Sequence, residues 1–128
     1  MTERVHRTPA PVFPGIADSV RVSAGDQLFL SGVVAQRADG TPAADFEEGV
    51  TLVFEALGAA LERGGATFSD LIRVNVYIVD LTPERVATYR EVRDRFLDAA
   101  NIPASTLIGI SALVSDAFQI EIDAIAAV

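Results

Sequence analysis

Residues 71–81 read Leu71-Ile72-Arg73-Val74-Asn75-Val76-Tyr77-Ile78-Val79-Asp80-Leu81. Ile72, Val74, Val76 and Ile78 fall on one side of an extended chain, and Arg73, Asn75, Tyr77 and Val79 on the other. A period of two over this length is a β-strand, because successive side chains of a strand point to opposite faces. The all-aliphatic side requires a cover, and that cover lies in the flanking sequence.

Before the strand, Phe46, Val50, Val53, Phe54, Leu57 and Leu61 recur at steps of three and four, the period of an amphipathic helix. Asp45 followed by Glu48 resembles a capping box, and Gly64-Gly65 closes the run. After the strand, Thr82-Pro83-Glu84 supplies an N-cap, a proline at the first helical position and an acid in the first turn. The second helix is expected to run to about Ala99, with Val86, Tyr89 and Phe96 in its buried stripe and Asn101-Ile102-Pro103 ending it.

Two further strands follow, Thr106 to Leu113 and Phe118 to Ala126. In the second, Phe118, Ile120 and Ile122 alternate with Gln119, Glu121 and Asp123. Upstream, Val20 and Val22, then Leu28 to Val34, split by Ala24-Gly25-Asp26, suggest two strands joined as a hairpin. Pro9, Pro11, Pro14 and Gly15 suggest an extended lead-in over residues 1–18. The order β-β-α-β-α-β-β predicts an α+β protein with one mixed sheet and two helices on one face.

The chain has 128 residues, a single domain's length, and half of them are hydrophobic. That fraction is high for a small soluble monomer and predicts burial between subunits. With no Cys, disulfides, thiolate nucleophiles and Cys-bound metals are excluded. All ten basic residues are Arg, so no lysine can form a Schiff base, act as a general base or serve a phosphate loop. The one histidine, His6, lies in what reads as an unanchored terminus, so neither a histidine triad nor a His-cluster metal site is expected. No residue pattern calls for a metal or another cofactor. A net charge of −8 repels phosphate backbones and argues against nucleic-acid binding. No segment has the length and apolarity of a membrane span or the apolar core of a signal peptide, so a cytoplasmic location is expected.

The second face of the sheet, with Arg73, Asn75, Tyr77, Glu121, Asp123 and Ile125, is neither core nor plain surface. It is either solvated or a face between subunits, where small clefts open around a symmetry axis. Glu121 is the strongest candidate for chemistry, since a carboxylate desolvated in such a cleft becomes able to move protons near neutral pH. Asp123 is expected to pair structurally with an Arg, and Arg73 with an acid across a subunit interface.

The tail from Pro103 to Val128, with Gln119-Ile120-Glu121-Ile122-Asp123-Ala124-Ile125-Ala126, resembles the C-terminal signature of the RidA family, the reactive intermediate deaminases also called YjgF or L-PSP. Gln27-Leu28-Phe29-Leu30-Ser31-Gly32 and Phe68 to Leu81 resemble the family's second and central strands. The resemblance spans about residues 18 to 128 and implies a chorismate-mutase-like homotrimer, one domain per chain over residues 1–128. Its three sheets form a barrel, with small-molecule clefts at the subunit interfaces.

The resemblance also implies enamine or imine hydrolysis, with Glu121 placed to handle the water. Members with that activity grip the substrate carboxylate with an Arg in a Pro-x-Arg-Ser segment; here Pro103-Ala104-Ser105-Thr106 places Ser105 at that position. Ser105 and Thr106 are candidate ligand contacts, and equally plain polar residues opening a strand. Ile16 is the nearest match to an aromatic carried near the first strand, and Arg93 or a neighbour stands where an Asn of the second helix often faces the site. The chain therefore reads as a divergent branch that hydrolyses an enamine or imine other than the usual 2-imino acids. The alternative is a non-catalytic trimer binding a metabolite or a protein. Ribonuclease activity, attached to some members, is disfavoured by the acidic, lysine-free chain.

Overall fold

The central strand forms as its alternation requires, and everything else is arranged around it. A computed structural model describes residues 4–128. Its elements are β1 (Val5–Pro9), β2 (Ala17–Val22), β3 (Gln27–Val34), α1 (Phe46–Arg63), β4 (Leu71–Val79), α2 (Pro83–Phe96), β5 (Ala104–Ile110) and β6 (Ile120–Ala127), with short 3-10 turns at Phe68–Asp70 and Ala99–Asn101. The strands make one mixed sheet in the order β1-β2-β5-β4-β6-β3. β4 is parallel to β5 and antiparallel to β6, and β6 is antiparallel to β3.

Val74, Val76 and Ile78 of β4 and Ile120, Ile122 and Ala124 of β6 are buried at 2% exposure or less. Over them lie Val50, Val53, Phe54, Leu57 and Leu61 of α1 and Tyr89 and Val92 of α2. Full burial of each large aliphatic side chain contributes roughly 1.5–3 kcal/mol, so this layer stabilises the fold. Leu71, not Ile72, enters the core at the start of β4, because the register with β6 shifts between Leu71 and Arg73. Between the helices, the Phe54 ring lies 5.2 Å from Phe96 and 5.9 Å from Tyr89, centroid to centroid.

The helix starts follow their caps. Asp45 accepts from the Glu48 backbone N–H at 2.8 Å, and Thr82 accepts from that of Arg85 at 3.1 Å. α2 ends at Phe96, short of Ala99, because Leu97 is extended and Asp98 caps the following turn by accepting from the Ala100 N–H at 3.0 Å. Its buried positions are Tyr89, Val92 and Arg93, while Val86 and Phe96 are half-buried.

Two expectations at the N-terminal end are corrected. Part of the proline-rich lead-in is a strand, β1, which pairs antiparallel with β2. β2 and β3 do not form a hairpin with each other: β2 pairs with β1 and touches β5 at one register pair, Ala17 with Ala104, while β3 pairs with β6. The Ala24-Gly25-Asp26 turn hands the chain from one side of the sheet to the other. His6 is an exposed residue of β1 opposite Arg21. Among the described residues no helix is long and apolar enough to cross a membrane.

Candidate functional site

β6 places Glu121 on the uncovered face of the sheet, between Val34 of β3 and Tyr77 of β4. Alternation dictates this, since Ile120 and Ile122 take the covered face. The carboxylate lies over Gly32: a Cβ there would sit 2.7 Å from Glu121 Cδ and from Oε2. The register of β3 shifts between Leu30 and Val33, so the glycine lies at the irregularity in the β3–β6 ladder. Only a residue without a side chain leaves this carboxylate its place.

Beside Glu121, the polar face is wired together. Asn75 Nδ2 donates to Asp123 Oδ1 at 2.8 Å, and the Tyr77 hydroxyl donates to Asp123 Oδ2 at 2.9 Å. Arg73 Nη2 donates to Asn75 Oδ1 at 3.1 Å and to Thr106 Oγ1 at 2.6 Å. Within the chain, Asp123 is thus held by an amide and a phenol instead of the expected Arg, and Arg73 bonds the neutral oxygens of Asn75 and Thr106. The hydrogen bond to Asp123 comes first among the influences that raise the Tyr77 pKa above its ordinary value; desolvation and the charges of Asp123 and Glu121 add to it, and Arg73 opposes.

The other candidates meet elsewhere. Ile16, Arg93, Ser105 and Thr106 line one cleft of about 440 Å³ between α2, β5 and the loop preceding β2. Phe13, Pro14, Val86, Tyr89, Arg90 and Leu107 complete its wall. Ser105 pairs with Val74 and therefore shares the covered face, while Thr106 pairs with Asn75 and shares the open face with Glu121. Glu121 does not line this cleft, and the thickness of the sheet separates it from Ser105. Within one chain, then, the candidate contacts assemble as a group and the candidate water-handling residue stands apart.

Sequence reasoning missed Tyr89 and Arg90 as cleft residues and did not foresee that Arg93 would be buried, at 6% exposure. Tyr89 belongs to the expected buried stripe of α2, and most of it lies in the core. Its hydroxyl is buried without a hydrogen-bond partner among the described residues, and burial pushes its pKa far up.

A glutamate on the last strand of a mixed sheet, two helices on the opposite face and a cleft at the start of β5 define a RidA-type fold. The profile of the family described as Endoribonuclease L-PSP matches residues 17–128. The chain is 36% identical to the RutC family protein YjgH of Escherichia coli over 105 residues, 81% of this chain and 79% of that one. It is 29% identical to the E. coli protein named putative reactive intermediate deaminase TdcF, over 94% of this chain and 91% of that one. Among solved structures, that of YyfB from Yersinia pestis, a protein of unknown function of the conserved Rid family, superimposes with a TM-score of 0.88 at 27% identity, covering 98% of this chain and all of the other. The chain belongs to the RidA family, also called YjgF or L-PSP.

Proposed function

We propose that this protein is a cytoplasmic homotrimer that hydrolyses a small enamine or imine at clefts completed by a second subunit. In this reading Glu121 of one chain holds and activates the water, while Ile16, Arg93, Ser105 and Thr106 of another contact the ligand. The observation that carries it is the Glu121 carboxylate, seated over Gly32 on the open face with no side-chain hydrogen bond among the described residues. A carboxylate free of partners and fixed by a strand is what a general base needs. Its separation from the cleft in a single chain favours a site built from two.

The usual 2-imino acids are poor candidates. A charge-assisted hydrogen bond contributes roughly 1.5–3 kcal/mol, so Ser105 in place of a clamping Arg lowers their turnover by about one to two orders of magnitude for each bond lost. RNA is disfavoured by a net charge of −8.

The purified protein is expected to release ammonia from an enamine or imine, and Glu121→Gln to reduce the rate at least about 100-fold, the scale of a lost general base. Equal rates for the two proteins would remove Glu121 from the mechanism. A monomer by light scattering at working concentration would remove the shared cleft. Ser105 also favours a second reading, a non-catalytic trimer that binds a metabolite or a protein in the same cleft; a metabolite raising Tm without being converted would support it.

A further inference from the structure

Two carboxylates share the open face of β6, and one phenol stands beside both. Glu121 and Asp123 are separated by Ile122, which enters the core, so the two acids project to the same side. By register Tyr77 lies directly opposite Glu121, while Asn75 lies opposite Asp123. Side chains directly opposite in an antiparallel pair start roughly 4.5–5.5 Å apart, and diagonal ones roughly 7–8 Å. Glu121 is therefore the nearer acid to Tyr77 by register, yet the hydroxyl donates past it to Asp123 Oδ2, at 2.9 Å.

The neighbours make that choice. Arg73 can only donate, so its 3.1 Å bond to Asn75 Oδ1 turns the Asn75 amide nitrogen toward Asp123 Oδ1, which it reaches at 2.8 Å. Arg73 is itself tied to Thr106 Oγ1 at 2.6 Å. The series fixes the Asp123 carboxylate on the β4 side of β6, one oxygen for Asn75 and the other for Tyr77. The Glu121 carboxylate leans the opposite way, over Gly32 of β3. A phenol has one proton to donate. Committed to Asp123, it is withheld from Glu121, which has no side-chain hydrogen bond among the described residues.

We propose that Asp123 is a positioning residue for Glu121: it draws the Tyr77 hydroxyl to itself and so keeps the glutamate free to take a proton from water. Asn75 and Arg73 hold Asp123 in place for this. The inference rests on the proposed role of Glu121 and says what keeps that carboxylate unoccupied. Without Asp123 the hydroxyl turns to Glu121, because a hydrogen bond to a carboxylate is stronger than one to a neutral acceptor, and the base is capped.

The test is a phenol titration of the purified protein. The chain has two tyrosines and no tryptophan, and burial pushes the Tyr89 pKa far up, so phenolate absorbance just above the ordinary tyrosine value, about 10, reads Tyr77. The charged groups facing its hydroxyl are Asp123, Glu121 and Arg73. A hydrogen bond to a carboxylate holds the phenol proton and delays ionisation. Wild type, Asp123→Ala, Glu121→Ala and the double variant are titrated, with circular dichroism at each pH to follow folding. In the wild-type background Glu121→Ala is expected to lower the midpoint only slightly, because the proton is on Asp123. In the Asp123→Ala background the proton passes to Glu121, so adding Glu121→Ala is expected to lower the midpoint at least about twice as far. If Asp123→Ala fails to fold, Asp123→Asn takes its place with the same expectation, since its neutral carbonyl is the weaker acceptor.

Equal drops in the two backgrounds overturn the proposal, because Tyr77 then never reaches Glu121. A midpoint in Asp123→Ala that already sits at the ordinary tyrosine value overturns it as well. The titration needs no turnover, so the two readings fail separately: unequal drops with no loss of rate in Glu121→Gln refute the hydrolytic role and leave the control of Glu121 by Asp123 standing.

Discussion

The two faces of the sheet are built from the same strands and obey different rules. On the covered face, Val74, Val76, Ile78, Ile120 and Ile122 are aliphatic and closed to water. On the open face, Asn75, Tyr77 and Asp123 form a hydrogen-bonded band, with Glu121 next to it and Phe29 and Ile108 exposed at 69% and 44% on its margins. Hydrophobic burial is non-directional, so the covered face tolerates any well-packed aliphatic set. A polar band is directional, and each member fixes the next. One face specifies that the chain folds; the other specifies what it can meet.

The largest expected effect comes from breaking the covered face. Ile122→Ala should cost about 2–5 kcal/mol of stability in chemical denaturation, the range for emptying a core position, whereas Ile125→Ala, half-buried on the open face, should cost much less in a dilute monomer. If the open face is an interface, the Ile125→Ala cost grows with protein concentration; a concentration-independent loss matching that of Ile122→Ala would erase the distinction between the faces.

The band responds next. Asp123→Ala strips the acceptor from both half-buried donors, Asn75 and Tyr77, and should cost about 0.5–1.5 kcal/mol for each hydrogen bond lost. Asp123→Asn, which keeps a carbonyl oxygen, should recover part of that loss in the same denaturation experiment. Identical losses in the two variants would mean that the band's hydrogen bonds contribute little.

The smallest effect is read at alkaline pH. Asp123 and its surroundings raise the Tyr77 pKa in the folded state, so the folded protein holds this proton more tightly than the unfolded chain. The associated stability is fully present below the ordinary tyrosine value, about 10, and is lost as pH rises through the folded-state value. Wild type should therefore lose stability more steeply above that pH than Tyr77→Phe, followed by thermal melts across the alkaline range. Parallel curves would show that Tyr77 and Asp123 are not coupled.

Much of this arrangement is legible from residue order alone. The alternation in β4 and β6 locates both faces, and the caps at Asp45 and Thr82 locate both helices, because each is a local signal with a single geometric solution. Strand partners are different. Val20, Val22 and the following Leu28 to Val34 look like a hairpin because turn residues lie between them, yet β2 and β3 are satisfied by β1 and β6, a choice made by the whole sheet. Pro9 and Pro11 disguise β1, whose edge position spares it the need for a donor on both sides.

The site divides in the same way. Glu121 is visible as a charged residue inside an apolar strand, and Ser105 as a departure from a motif. The burial of Arg93 is not visible, because it depends on Gly15, which is remote in the chain and offers no local hint that a guanidinium will lie against it.

The ribbon of β1 and β2 meets β5 at the single pair Ala17 with Ala104, and Arg7 ties it down further by donating to the carbonyls of Ser69 at 2.9 Å and Leu71 at 3.0 Å. The loop of that ribbon carries Phe13 and Ile16, one side of the Arg93 cleft, while α2 and β5 make the opposite side. The two walls of the pocket are therefore anchored unequally: α2 and β5 belong to the packed framework, while Phe13 and Ile16 ride on a ribbon joined to the rest of the sheet by one register pair.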